Sequence, residues 1–430
     1  MLKRVEPIAL QTESAITSRV IWAYLTVGLF VSLQFVLQGS VSLMVPELKA
    51  DLSIHEAGVG MLSSLFFYPY VFLQIPAGWI LSRTGVRMLL LISGLLMSAG
   101  CLIQGTADNM TQMMIGRVIM GIGAAPGIVC FLKTVEVSFP PLFFGVLAAG
   151  MEVFGMVGAG IGDFLIPESI QVWGWRFTFK IFAALTLVPV LGGLFFIAKN
   201  SGTASCDCDN NSGEWVKVFR NTDVWLVALF CGFMFAIMNA FAALWAIPYL
   251  DTNPDCIGQS GRIAGMIFIG AAVGAPVLGW LADHGMDSRK AMMVGGVMTI
   301  ALLLIILSGR LTPVLYFPLM FLLGLSASTY MLPFVLVKHW LKGEQLSIGL
   351  AFTNALSVMI GALFYQPLIG WLIGMYSEVC TENYREVLMI LPAGVLVACI
   401  LLLYLRKTNT VVLRVVSTEE EKFRLPKTGA

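Results

Sequence analysis

Three ionisable residues, Arg117, Glu152 and Asp163, lie inside long apolar runs of this 430-residue chain, in which only 12% of residues are charged and 58% are hydrophobic. A carboxylate in an apolar interior is costly unless it is paired or protonated. Glu152 is therefore a group that can hold and release a proton. Asp163 follows eleven residues later, on nearly the same helical face. A guanidinium can grip a carboxylate bidentately, the protein's own or a ligand's, so Arg117 is expected to reach Glu152 or Asp163. The plain alternative is a fixed Arg–carboxylate pair that locks neighbouring helices. Lys133 and Glu136, three residues apart, are either a snorkelling helix end or a gate.

The remaining polar candidates are uncharged. Gln34 and Gln38, four apart, share a helical face, so both amides can point into one cavity. Tyr68 and Tyr70, Asn239 and Trp245, Tyr330, Asn354 and Gln366 lie in other apolar runs and are the further candidates for contacting a bound solute. The eight cysteines and three histidines form no metal pattern. Cys206-Asp207-Cys208-Asp209 lacks a third and fourth soft ligand nearby. Cys256 and Cys380 fall on loops expected on one side of the molecule, where an oxidising compartment would permit a disulfide. No phosphate-binding loop and no nucleophile–base pattern occurs, so neither direct ATP drive nor an enzyme is expected, and no cofactor is implied.

These residues need elements to hold them. The mean hydropathy of +0.87 and the net charge of +1 describe a polytopic membrane protein and exclude nucleic acid as a partner, which wants a basic surplus. Twelve stretches reach the roughly 20 residues of a membrane span. The first six centre on 21–45, 58–81, 87–106, 111–134, 143–166 and 177–198. The second six centre on 224–249, 262–282, 291–309, 312–337, 346–373 and 387–405. The spacing predicts an all-α fold with a six-helix bundle over 1–198, a linker over 199–223, a second bundle over 224–406 and a tail over 407–430. At about 1.5 Å per residue, Glu152 lies about 13 Å from one boundary, near the midplane, and Arg117 about 10 Å from the other. The third, ninth and twelfth spans are nearly free of ionisable and amide groups and are expected to face lipid.

With both termini inside, 18 of the 26 Lys and Arg fall on the cytoplasmic side, six outside and two within the fourth span. That bias predicts cytoplasmic termini by the positive-inside rule. Met1 to Arg19 is polar, and the first span is expected to act as an uncleaved anchor. The halves also repeat. Gly78-Trp79 after the second span returns as Gly279-Trp280 after the eighth, and Leu132-Lys133 in the fourth returns as Val337-Lys338 in the tenth.

At these residues the chain resembles the major facilitator superfamily. Gly78, Arg83, Gly85 and Arg87 match that family's loop between the second and third helices, with Ser82 in its Asp position and Val86 in its first Arg position. Gly279 and Asp283, followed by Arg289 and Lys290, form the second copy. Arg117 with Gly121, Gly123 and Ala125 resembles the family's fourth helix, and Trp175-Arg176 its sixth-helix start. The resemblance implies two pseudo-symmetric six-helix bundles, a solute path between them, and alternating access without a cofactor. It also implies that Arg83, Arg87, Asp283, Arg289 and Lys290 tie helix ends together, the first tie being weakened by Ser82. Met44-Val45-Pro46-Glu47-Leu48, Gln74-Ile75-Pro76-Ala77-Gly78, Trp245-Ala246-Ile247-Pro248 and Gln366-Pro367 resemble a branch with phagosomal (Pht-like) nutrient permeases and siderophore-linked carriers. The Gly-Pro pair of drug/proton antiporters is absent from the glycine-rich fifth span. The expectation is therefore a monomeric, proton-coupled importer of an amino acid or nucleoside-like nutrient in a bacterial inner membrane. A siderophore or carboxylate carrier and a non-transporting receptor are the alternatives.

Overall fold

The computed structural model describes residues 18–140, 144–199, 212–308, 311–376 and 380–405. Most of the linker, with Cys206 and Cys208, and the tail over 407–430 lie outside the described residues. So do the side chains of Trp79, Ser82 and Asp283. Lipid offers no partner to backbone N–H and C=O groups, so apolar runs of this length must close their hydrogen bonds within helices. Among the described residues there is no strand.

Eleven helices are long and apolar enough to cross a membrane. One of them, Gly150–Phe196, has 47 residues, or about 70 Å at 1.5 Å per residue, more than twice a hydrocarbon core of about 30 Å. It folds back at Gly174 (φ 76°, ψ 160°), a backbone region that only glycine enters freely. Gly85 makes the same bend (φ 76°, ψ 163°) between the second and third spans, which gives this residue of the expected loop motif a conformational reason. Twelve spans result: α1 Ser18–Gly39, α2 Glu56–Gln74, α3 Arg83–Gly105, α4 Met110–Ser138, α5 over 144–173 and α6 over 175–196. The second bundle comprises α7 Thr222–Asp251, α8 Ser260–Ala282, α9 Ser288–Ile306, α10 Pro313–Trp340, α11 Ile348–Ile373 and α12 Thr381–Leu403. An even number of spans puts the start of α1 and the end of α12 on one side, the terminal face.

The apolar sequence continues to residue 45, but α1 ends at Gly39. A 3₁₀ turn, Ser42–Met44, and a short helix, Val45–Leu52, follow on the opposite face. Ser40 and Ser42 hydroxyls bond back to the carbonyls of Leu37 and Gly39, at 2.8 Å each, and hold the chain in the turn. Other spans are interrupted near mid-length. α4 breaks at Ala125–Pro126, α10 has a 3₁₀ turn at Ser328–Met331, and α7 and α11 widen to π-helix at Ile237–Trp245 and Met359–Tyr365. The α4 and α10 breaks sit at the offset of the Lys133/Lys338 repeat. Large exposed apolar side chains line α3, α6, α9 and α12, for instance Leu95, Phe195, Val294 and Leu403, whereas α7 is buried from Leu226 to Leu250 apart from three half-buried positions. α7 is thus the centre of the second bundle.

Packing across the bundles runs from the midplane to the face opposite the termini. There Gly60 of α2 lies on the Gln366 carbonyl, Gly370 of α11 on the Glu56 carbonyl, and Gly261 of α8 on the Asp163 carbonyl. Any Cβ added at these glycines would come within 2.6 Å of that oxygen. On the same face Lys49 pairs with Glu56 at 2.5 Å, and Arg262 of α8 with Glu168 of α5. Asp51 accepts from Trp175 Nε1 at 2.9 Å and from Arg176 at 2.5 Å.

Two outcomes follow for stability. Gly324 of α10 packs directly on the Ile267 carbonyl of α8, so Gly324→Ala should destabilise by on the order of 1–3 kcal/mol. Gly78, with no atom within 4 Å of a Cβ built on it, should tolerate Ala or gain up to about 1 kcal/mol; thermal midpoints in detergent compare the two. The Trp175 and Arg176 hydrogen bonds hold the Asp51 carboxyl below its ordinary value. Its stabilisation is therefore complete above the usual range of about 3.9 and disappears as pH falls through the lowered value. The difference in midpoint between wild type and Asp51→Asn should accordingly shrink between about pH 6 and about pH 3.

Candidate functional site

Arg117 is fully buried, and its partners are three backbone carbonyls and, at 3.5 Å, the Ser40 hydroxyl. Its Nη1 donates to the Leu37 carbonyl at 2.7 Å and Nη2 to the Gln38 carbonyl at 3.0 Å. Nε donates to the Leu62 carbonyl of α2 at 3.3 Å, and the guanidinium lies 5.5 Å from the Phe66 ring centroid. The break after Gly39 leaves the last carbonyls of α1 without intrahelical donors, and a cation is favoured at such a helix end. This corrects the expected pairing of Arg117 with Glu152 or Asp163: the guanidinium is consumed by carbonyls of α1 and α2. Gly121, one turn on, packs against the Phe66 carbonyl and lets α4 come close enough for the reach.

With α1 fixed in this way, its two amides are set at the junction of the bundles. Gln38 Nε2 donates to Asn239 Oδ1 of α7 at 2.7 Å. Gln366 Nε2 of α11 donates to the Asn239 carbonyl at 2.7 Å, and Trp245 Nε1 donates to the Gln366 carbonyl at 3.2 Å. Asn239 and Trp245 both lie in the π-helical stretch of α7, where the widened turn frees carbonyls from the helical ladder. Trp245 and Gln366 therefore stitch α7 to α11. The Gln34 amide is buried against Gly127 of α4, and neither its oxygen nor its nitrogen has a hydrogen-bond partner among the described residues. Asn239 Nδ2 and Gln366 Oε1 are likewise unpartnered. A void of about 10 Å³, at the lower limit for one water, lies between the bundles and is lined by Phe35, Gln38, Met156, Phe235 and Asn239.

Glu152 of α5, half-buried, accepts a hydrogen bond from the Tyr330 hydroxyl in the 3₁₀ turn of α10, so one carboxylate joins the two bundles. Phe235 of α7 packs on the Tyr330 ring at 4.9 Å. A further bond across the bundles runs from Asn354 Nδ2 of α11 to Gln74 Oε1 of α2 at 2.9 Å. Gln74 was not among the sequence candidates, although it stands four residues after Tyr70, which is buried, while Tyr68 is exposed. The (i, i+4) spacing of Tyr70 and Gln74 is the signal that could have found it. Asp163 lies apart from Arg117's contacts, at the packing of α5 on α8.

Lys133 and Glu136 pair with each other at 3.1 Å, Glu136 being the more exposed. Arg289 Nη2 donates to the Leu403 carbonyl at 3.0 Å, tying the start of α9 to the end of α12, and Lys290 lies 3.7 Å from Asp287. Arg83 is exposed and Arg87 half-buried. Cys256 is buried, Cys380 exposed, and both thiols are free, so the disulfide expected between their loops is not formed.

The model of the Major Facilitator Superfamily matches residues 23–331 and 229–428. A probable L-galactonate transporter of Escherichia coli is 27% identical over 284 residues, which are 60% of this chain and 62% of that protein, under two thirds of its length. The gentisate transporter of Corynebacterium glutamicum is 23% identical over 384 residues, 85% of this chain and 83% of that one. Among solved structures, the nucleoside transporter NupG superposes with a TM-score of 0.72 at 14% identity, covering 90% of this chain and 100% of that one.

The role of Arg117 as a carbonyl clamp has a direct consequence. Arg117→Met keeps length and apolar bulk but removes a donor from each of the carbonyls of Leu37, Gln38 and Leu62, of which Leu37 keeps the Ser40 hydroxyl. It should cost at least about 2 kcal/mol, since each buried unsatisfied group costs about 1–3. Arg117→Lys, with one compact donor group, should recover only part of the thermal midpoint.

Proposed function

Because the chain belongs to the Major Facilitator Superfamily and is a secondary transporter of that type, we propose that it imports a small polar solute with a proton. The solute is uncharged or zwitterionic, of amino-acid or nucleoside-like chemistry. The observation that carries this reading is the Glu152–Tyr330 bond across an amide-lined midplane. A carboxylate at that depth is stable when it is hydrogen-bonded or protonated, so protonation of Glu152 and loss of its bond to Tyr330 would be one event. That event would loosen the bundles from one another. The uncharged partners argue for an uncharged solute. Within the spans of the first bundle, Arg117 is bound to carbonyls and Lys133 to Glu136. An anion approaching Glu152 would meet repulsion there without either of these cations to offset it. The buried amide of Gln34 offers both a donor and an acceptor to a solute that carries both.

The packing of the bundles on the face opposite the termini fits a state closed there, with the terminal face cytoplasmic as the distribution of Lys and Arg indicates. A bacterial inner membrane and a single functional chain complete this reading. The second reading is an organic anion carried together with a proton. It is favoured by relatives that transport galactonate and gentisate.

Proteoliposomes test the proposal. Uptake of a neutral or zwitterionic nutrient should rise at least about tenfold on imposing an inside-alkaline gradient, and galactonate and gentisate should not compete. Glu152→Gln should abolish gradient-driven accumulation while leaving solute exchange. Uptake blind to the gradient overturns the coupling, and strong competition by the two anions moves the assignment to the second reading.

A further inference from the structure

Asp163 is 4% exposed, and its Oδ2 is buried without a hydrogen-bond partner among the described residues. It stands where α5 meets α8, on the closed side of the bundle junction. α8 meets it with two glycines. A Cβ on Gly265 would lie 3.2 Å from Asp163 Cβ, and one on Gly261 2.6 Å from the Asp163 carbonyl oxygen. The two glycines, four apart, let the backbone of α8 close over the carboxyl. The other neighbours of this stretch are Phe164, Pro167, Leu43 of the 3₁₀ turn, and Val36 of α1 against Gly162, all apolar. The charged groups on the packed elements are Arg262 of α8 and Glu168 of α5, which pair with each other at the exposed rim, Glu152, three turns away along α5, and Arg19 at the far end of α1, bonded to the Phe196 carbonyl. No cation therefore compensates an ionised Asp163 in this arrangement, and an ionised carboxylate with an open acceptor site in an apolar seam is strongly disfavoured.

We propose that Asp163 is a proton-binding latch of the face opposite the termini: α5 and α8 close over it only when it carries a proton, and it ionises when they part. The proton is taken from the water on that face at closure and returned to it at opening. Asp163 thus biases the gate without itself carrying the proton across. This rests on the alternating-access reading above, but not on the coupling role of Glu152 or on the identity of the solute. Acid on that face should favour the closed state, in addition to any gradient felt by Glu152.

The test is a distance measurement in the full-length protein. Spin labels at Glu168→Cys and Arg262→Cys, in a background with Cys206, Cys208 and Cys380 replaced by Ser, report the gap between α5 and α8 and remove the rim ion pair as a competing titration. The short-distance population should dominate in acid, and the ratio of short to long should fall by up to about tenfold per pH unit as one proton is lost. With Asp163→Asn, which is isosteric and cannot ionise, the short distance should dominate at every pH. A pH-independent ratio in the labelled protein with Asp163 intact overturns the proposal without recourse to any variant. A pH response that persists with Asp163→Asn overturns it as well. The response should survive Glu152→Gln; its loss there would assign the latch to Glu152. Uptake that ignores a proton gradient while the gap still titrates would remove the coupling reading and leave this one standing.

Discussion

A membrane forbids unsatisfied backbone, and in this protein that rule is tested hardest where α1 stops at Gly39, short of the end of its apolar run. Carbonyls that a longer helix would have bonded to its own next turn must find donors elsewhere. Arg117 supplies them from α4, and its third bond brings in α2 through Leu62. One side chain thereby fixes three helices and sets the rotation of α1, on which the positions of Gln34 and Gln38 depend. The guanidinium is committed to geometry, which leaves Glu152, bonded to Tyr330, as the ionisable group that links the bundles at the midplane.

The midplane then divides into amides that are paired and amides that are not. Gln38, Asn239 and Gln366 form a connected set of hydrogen bonds that crosses from α1 to α7 and α11. Gln34, by contrast, keeps a buried donor and acceptor unmatched. A group left so costs about 1–3 kcal/mol, and under the function proposed above a solute that satisfies both atoms would offset it. π-helical widening in α7 and α11 serves the same economy by releasing main-chain carbonyls that side chains can then reach.

Apolar run length was enough to read twelve helices, and the Gly-Trp and Lys repeats were enough to read two related bundles. Gly85 was marked by its place in the loop motif, and its positive φ explains why. What the sequence did not disclose were partners. Main-chain carbonyls have no residue identity, so the clamp made by Arg117 was invisible, and a carboxylate looked like its natural mate; Gly39-Ser40 inside an apolar run was the only hint. Glu152 and Tyr330 were each singled out, yet their bond spans 178 residues and depends on how far two helices rotate. Gln74 was passed over as an ordinary member of α2, and the free thiols of Cys256, buried, and Cys380, exposed, show that neighbouring loops need not bring their thiols together.

Gln38 and Asn239 are 201 residues apart, the same interval that separates Gly78-Trp79 from Gly279-Trp280. Corresponding positions of two parallel repeats can touch only near the axis that relates them. Their bond is thus the analogue of an isologous contact in a two-fold dimer, where a residue meets its own copy. Two identical amides there would be constrained to serve both sides equally. Joining the repeats in one chain lifts that constraint: the longer amide donates, the shorter accepts, and the site beneath the axis is handed, able to distinguish one end of a solute from the other.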